Sequence, residues 1–469
     1  MYSSHDKRPL FAMPSPDSSG SLRNLAKSSD VDVGLRDHLV DLYLKLIHDK
    51  PHTLFHPPTL KIQAHEGTLP KTILYGIMAL AARFSHDPKT RKRTKEFCQY
   101  AKETFQMNLL EISLENIQAS VLVGNLCGAE GEPEQESLFF GIAFRLAQII
   151  HLPSGNSNEG PILREVKLRT WWSLFMIDQW SSAGLGVPKQ LTDDDSNALP
   201  MLEIEFWKPT PNLHPPDMGA RPGLWGYMIM LAKIFGRIQN LHQRLANEKL
   251  SDQEAEYITK GLSSNLESFM EALPAEHHFT LLNLRAHAAQ GLGRAFVALH
   301  LGYHHYATLL YFPYLDHQLK EISNQALYSG RCKYHAAAFS DLLKLSHEEE
   351  ECEAVYVIVA HMTVVSSAAL LHTLLFGEHL ELPETRSRLS DNFVILLKLK
   401  EYWPAVEMMI ERLFTFQKVC MRSMEQIYIV DKWIVKFLLQ HAFPMESSAP
   451  SHSLSERGKF ADDALSVLR

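Results

Sequence analysis

The sequence predicts an all-α protein, and three observations carry that reading. Large apolar residues recur at three- and four-residue steps, as in Leu35, Leu39, Leu42 and Leu46, which is the period of a helix with one buried face. The polar/apolar alternation of a half-buried strand is scarce. Hydrophobic residues make up 45% and charged residues 21% of the 469, the balance of a soluble globular protein with a core to bury. The expected architecture is one large multi-helix unit over residues 35–440, with a disordered N-terminal tail over 1–34 and a disordered polar C-terminal tail over 441–469. The first tail is rich in Ser, Pro, Asp and Gly and poor in large apolar groups, so it has too little to bury to offset the entropy of ordering it.

Taken in order, the first helix starts at Leu35. His56-Pro57-Pro58-Thr59-Leu60 follows as an extended link, because each proline moves its predecessor out of the helical region. Residues 71–84 read as a second helix, with Ile73, Ile77, Leu80 and Ala81 inward and Asp87-Pro88 beyond its end. The densest basic run comes next, with Lys89, Arg91, Lys92, Arg93 and Lys95 in seven residues. It reads either as a nuclear-import or phosphate-contacting patch, or as the solvated opening turn of a helix that continues through Phe97, Ala101 and Phe105. Residues 114–127 and 136–151 form a helical pair joined by a polar loop punctuated by Gly128, Gly131 and Pro133.

Another amphipathic helix follows, with Leu168, Trp171, Trp172, Phe175 and Met176 as its stripe and Glu165/Arg169 as an i,i+4 pair. Aromatic stripes at this spacing are more often core than ligand wall. Asp178 falls on or beside the stripe, so once buried it needs a partner, for which Arg145 is the candidate. Gly184, Gly186 and Pro188 are expected to stop this helix. A connector with Pro and Trp spans 206–222, and helical patterns resume to about residue 440. Residues 355–376 run 22 positions without a formal charge, long enough to cross a bilayer. They contain His361, Thr363, Ser366, Ser367, His372 and Thr373 and are preceded by four glutamates, so a buried core helix is expected and no membrane partner.

The chemistry-bearing patterns mostly exclude. A net charge of −8 argues against a chain that binds nucleic acid over its whole surface. Cys98, Cys127, Cys332, Cys352 and Cys420 are far apart with no C-x-x-C pair, which fits neither a disulfide framework nor a zinc module and points to reduced thiols in nucleus or cytosol. The start has no signal-peptide core. His300 and His304 share a helical face, but no Glu follows the first and no third ligand is at hand. Asp193-x-Asp195-x-Asn197 begins like a calcium loop, but Ala198 and Ile204 occupy the required Gly and Glu positions. The glutamates at 348–351 read as a solvated face or a helix start. No nucleophile elbow or phosphate-cradling loop is present. No catalytic residue, metal site or cofactor is expected, and the chain reads as a non-enzyme.

The order Glu165, Arg169, Trp171-Trp172, Asp178, Gly186-x-Pro188, an acidic loop at 193–195 and Leu199-Pro200 resembles the middle homology, or regulatory, domain of fungal-specific transcription factors. The resemblance runs over about residues 36–430. It departs at Ile150, Phe269 and Phe312, where the family commonly has other residues. It implies a helical regulatory domain and a transcriptional regulator in the nucleus, with a metabolic or secondary-metabolite biosynthetic gene cluster as its finer target. The implied partners are DNA, directly or through a zinc-cluster partner protein, a small-molecule effector, and a second subunit in a homo- or hetero-dimer. The family's binuclear zinc cluster has no counterpart in these cysteines. The alternative is a small-molecule sensor or protein-interaction module that modulates other regulators without touching DNA.

Overall fold

A computed structural model of the chain describes residues 31–50, 52–154, 158–191, 198–210, 221–247, 250–315, 323–423, 432–445 and 465–468. The expected disordered tails fall largely, and the acidic loop at 193–195 wholly, outside the described residues. Eighteen α-helices and no strand occur among the described residues, as the periodicity requires.

The N-terminal half is built on a buried apolar helix. α1 (Val33–Leu46) is opened by Asp32, whose carboxylate accepts the Leu35 N–H at 3.1 Å. α2 (Pro57–Glu66) starts on its prolines, where the missing N–H is harmless, and ends at Gly67 with φ 75°. Residues 57–60, expected as an extended link, are therefore the first turn of a helix; only His56 before them is extended. α3 (Lys71–Ala81) is buried along nearly its whole length and packs on α1, α5 (Thr94–Met107) and α6 (Leu114–Glu130). The short α4 (Pro88–Lys92) carries the start of the basic run.

α6 and α7 (Pro133–Ile149) form a helical hairpin turned at Gly131, φ 78°. Its close packing depends on two glycines one turn apart. A Cβ on Gly124 would stand 2.5 Å from Phe140, and one on Gly128 2.8 Å from the Glu136 carboxyl carbon. α8 (Pro161–Leu185) lies against this hairpin and against α10 (Leu224–Ala246). Gly186, φ 66°, ends it, whereas Gly184 sits inside it, where a Cβ would overlap the His441 ring. The expected stop at Gly184 is thus displaced to Gly186, because the first glycine answers a packing need.

The C-terminal half surrounds α15 (Ile358–Phe376), which packs on α13 (Gly293–Tyr311), α14 (Gln325–Glu348), α16 (Leu382–Tyr402) and α17 (Val406–Ser423). It is the one described helix long and apolar enough to cross a membrane, and the fold buries it. Its hydroxyls have partners there. Ser366 donates to Ala336 O at 2.9 Å, and the Asn392 amide donates to Ser367 and Ser340 at 3.0 Å each. α9 (Glu203–Phe206), α11 (Asp252–Glu271), α12 (Leu281–Ala288) and α18 (Lys432–Leu439) complete the set. One continuous hydrophobic cluster runs from Leu39 to Leu468 through both halves.

The glutamate run ends α14 and starts no helix. Glu349 pairs with Arg285 at 2.7 Å, and Glu351, at φ 61°, bridges Lys45 at 2.5 Å and Arg294 at 2.6 Å.

Candidate functional site

On α8 the motif residues hold the loop that returns along the helix. Arg169 Nε donates to Glu165 Oε1 at 2.8 Å and Nη2 to Met201 O at 2.6 Å, while the guanidinium lies over Phe206, 4.1 Å from its centroid. Glu165 Oε1 also accepts the Met201 N–H at 3.0 Å. Trp172 is buried edge-to-face on Phe175, and its Nε1 donates to Ala198 O at 2.9 Å. Trp171 is half-buried against the core, Gly186 and Pro188 lie exposed in the turn, and Pro200 is buried just before the Met201 anchor. Asp178 accepts the backbone N–H groups of Gln190 at 2.9 Å and Leu191 at 2.8 Å. Burial raises its pKa against those donors and Lys189. Arg145 is exposed, so the expected Arg145–Asp178 pair is replaced by backbone donors that the turn at Gly186 aims at the carboxylate.

The opposite side of α8 meets the segment between α1 and α2. Ser173 Oγ accepts the Thr53 N–H at 2.9 Å and donates to Thr53 O at 3.2 Å. Asp49, buried at φ 63°, accepts Trp207 Nε1 at 3.1 Å and lies 3.2 Å from His48 Nδ1. Burial works to raise its pKa, but His48 and Arg169 hold it below the usual range. Next to it Lys50 Nζ donates to Lys45 O at 3.0 Å and His48 O at 2.5 Å, capping the α1 C-terminus. No carboxylate pairs with this ammonium within 4.0 Å among the described residues. Burial, with Arg294 nearby, lowers it to about 8 against the pull of Asp49 and Glu351.

Lys50 stands at the edge of a cavity of about 100 Å³ between α8, α10, α13, α15 and α18. The walls are apolar, with Met228, Leu231, Phe235, Leu301, Val359 and Met362 among them. Polar groups occur at two ends. At one, Lys50 accompanies Arg294, which is 8% exposed, pairs with Glu351 and Glu353, and leaves Nε without a partner. At the other, His305, His361 and His441 follow one another, the first pair edge-to-face and the second tilted, with centroids 5.9 and 5.3 Å apart. Burial holds His305 at about 3 and His441 at about 4, the latter with help from Arg412, and lowers His361 as well. These rings are therefore neutral at pH 7. His305 Nδ1 and His361 Nδ1 are buried without partners, a cost that native interiors seldom tolerate. Tyr306 Oη is engaged by Trp180 Nε1 at 2.7 Å. The two non-glycine residues at positive φ beside this mouth, Asp49 and Glu351, add strain of the kind that gathers at ligand sites.

The basic run divides by environment. Arg91 donates to Ser85 O at 2.6 Å, and Arg93 pairs with Glu96 at 3.0 Å and lies over Phe97. Lys89, Lys92 and Lys95 are exposed. His300 Nε2 lies 2.9 Å from His277 O, and His304 Nδ1 lies 3.0 Å from His335 Nδ1. Among the described residues no group of three His, Cys, Asp or Glu side chains is placed to hold a metal ion.

Sequence reasoning selected His300 and His304 and passed over their neighbour His305, along with His361, His441, Lys50 and Arg294. The available signal was His361, one of two titratable rings, with His372, in a helix otherwise free of charge. The motif on α8 and the cavity are brought together by that helix, since Trp180 lines the cavity two residues after Asp178.

Residues 40–275 match the family described as the fungal specific transcription factor domain. The match spans α8 and its loop, while α13, α15 and α18 of the cavity lie beyond it. The chain is 24% identical over 338 residues to a transcriptional regulatory protein of Schizosaccharomyces pombe, covering 63% of this chain and 34% of that one. It is 21% identical over 424 residues to a Zn(2)-C6 fungal-type transcription factor of Fusarium oxysporum f. sp. lycopersici, covering 81% and 45%. The chain thus spans less than half the length of both relatives.

Proposed function

The chain belongs to the fungal specific transcription factor domain family, and from that premise we propose that it is the effector-sensing module of a nuclear transcription regulator. The effector is a small, largely apolar molecule carrying one or more hydrogen-bonding oxygens, held in the cavity between α8, α10, α13, α15 and α18. The observation that carries this reading is a trio of buried, unpartnered polar atoms on residues that line an apolar cavity: His305 Nδ1, His361 Nδ1 and Arg294 Nε. A hydroxyl that donates to His361 Nδ1, whose ring already donates from Nε2 to Leu438 O, and an oxygen that accepts from Arg294 Nε satisfy groups that are otherwise desolvated without compensation. A bound molecule touches helices from both halves of the fold and so favours the arrangement in which they meet. Sensing a metabolite-like molecule is consistent with control of a metabolic gene cluster. Output to DNA runs through a zinc-cluster partner or through contacts of the chain itself, with exposed Lys89, Lys92 and Lys95 as the phosphate-facing or import surface.

The test has two arms. Purified chain is screened by thermal shift against apolar alcohols, ketones and carboxylic acids, and hits are repeated on Gly302→Leu, which places a side chain in the cavity from a glycine with room beside Leu231. The chain is then fused to an unrelated DNA-binding domain upstream of a reporter. Hits are expected to stabilise the wild type, to fail on G302L, and to change reporter output. A reporter that ignores every stabilising molecule would refute the regulatory role, and stabilisation that survives G302L would refute the cavity.

A further inference from the structure

A second chamber of about 70 Å³ adjoins the cavity, enclosed by α6, α7, α8, α15 and α17. Trp180, Tyr356 and His441 border both spaces. Glu136 of α7 enters this chamber. It is 9% exposed, and its carboxyl has no hydrogen-bond or ion-pair partner among the described residues. The sequence makes room for it deliberately, since only a glycine at position 128 lets α6 pass so close to the Glu136 carboxyl.

Two neighbours that could satisfy Glu136 are engaged elsewhere. Tyr356 Oη donates to Asn125 Oδ1 at 2.9 Å, and Trp180 Nε1 donates to Tyr306 Oη. The rest of the lining is mainly the apolar and aromatic surface of Trp180, Tyr356, Phe140, Ile177 and Met409, with the Ser181 hydroxyl and the His441 ring as its other polar groups and neither within hydrogen-bond distance of the carboxyl. An unpaired carboxyl among aromatic faces is the arrangement that recognises an ammonium group, by ion pair and by cation–π attraction together.

We propose that this chamber is a binding site for a small organic amine, whose ammonium pairs with Glu136 while its apolar part lies against Trp180 and Phe140. The site is separate from the effector cavity and stands whether or not that cavity takes a ligand.

The proton balance follows from the geometry. Burial alone raises the empty Glu136 to about 8, so at pH 7 it is a neutral acid. Pairing with an ammonium requires the carboxylate, so the acid proton passes to solvent as the amine binds. The other titratable groups facing the chamber stay neutral: His441 is held at about 4, and the Tyr356 hydroxyl is shifted upward by burial, with Glu136 adding to it. Arg412 on α17 is engaged with Phe443 O and Phe437 O. Glu136 is therefore the group that titrates there between pH 6 and 8. Amine affinity rises about tenfold per pH unit below 8.

The test is calorimetry on the full chain with 2-phenylethylamine, 2-phenylethanol as the neutral counterpart and 3-phenylpropionate as the anion, at pH 6, 7 and 8 in two buffers of different ionisation enthalpy. The amine is expected to bind about tenfold or more tighter than the alcohol at pH 8 and to release close to one proton at pH 7. Glu136→Gln should retain the wild-type melting temperature and lose both the preference and the proton release, while its response to the effector panel is unchanged. Equal binding of amine and alcohol, tighter binding of the anion, or a wild-type amine signal without proton release overturns the proposal. The proton count on the wild type needs no variant, so it decides the matter even where E136Q folds poorly.

Discussion

Glu165 and Arg169, one turn apart on α8, form a buried ion pair, with Oε1 and Nε 2.8 Å apart and the arginine fully excluded from solvent. The pair does more than neutralise itself, because Arg169 also holds Met201 O and covers Phe206. Arg169→Ala leaves Glu165 buried and unpaired and is expected to cost about 3–5 kcal/mol. Arg169→Lys should recover less than half, since a point ammonium cannot meet the carboxylate, reach the carbonyl and stack at once. Urea midpoints of the two variants check this; a loss under about 1 kcal/mol in R169A would contradict it.

Gly184→Ala should act on the cavity from outside it. The added methyl overlaps the His441 ring, and His441 lines the cavity. Overpacking of this kind costs about 1–3 kcal/mol. The variant is expected to lower the melting temperature and also to weaken the shift produced by effector hits. A lowered melting temperature with an unchanged ligand shift would show that His441 is not part of the response.

Stability should fall as pH drops from 7 to 5. His52, His242, His300, His304, His305 and His335 are held by burial at about 3 to 4, whereas the unfolded chain takes up protons near 6.5. The unfolded state therefore binds more protons throughout that window, each such histidine adding up to about 1.4 kcal/mol per pH unit. Glu136, Asp178 and Glu203 are raised by burial and act in the opposite sense above about 4.5, but the histidines outnumber them. Melting temperatures across pH 5 to 8 provide the check, and a flat profile below 6.5 would count against these rings being buried and neutral.

The basic run should separate into two phenotypes. Lys89, Lys92 and Lys95 changed together to Ala are expected to leave stability within about 0.5 kcal/mol and to reduce nuclear accumulation of a fluorescent fusion. Arg91→Ala removes the donor to Ser85 O and should lower the melting temperature without moving the protein. Unchanged nuclear accumulation of the triple variant would remove the import reading.

Local spacing carried much of this protein. The helical period placed α1, α3, the α6/α7 hairpin and α8 with boundaries a few residues off, because a buried helix face repeats every three to four residues wherever it is. The motif from Glu165 to Pro200 was legible as a unit because its members hold one helix to the loop beside it, within a short stretch of sequence. What packed against what was decided only in three dimensions. Gly184 read as a helix stop but makes room for His441, more than two hundred residues later; Asp178 took backbone donors instead of Arg145. The cavity was invisible because its polar ends come from Lys50, Arg294, His305, His361 and His441, which share no spacing. Their relation exists only where five helices meet, and burial there, not residue type, sets their charge.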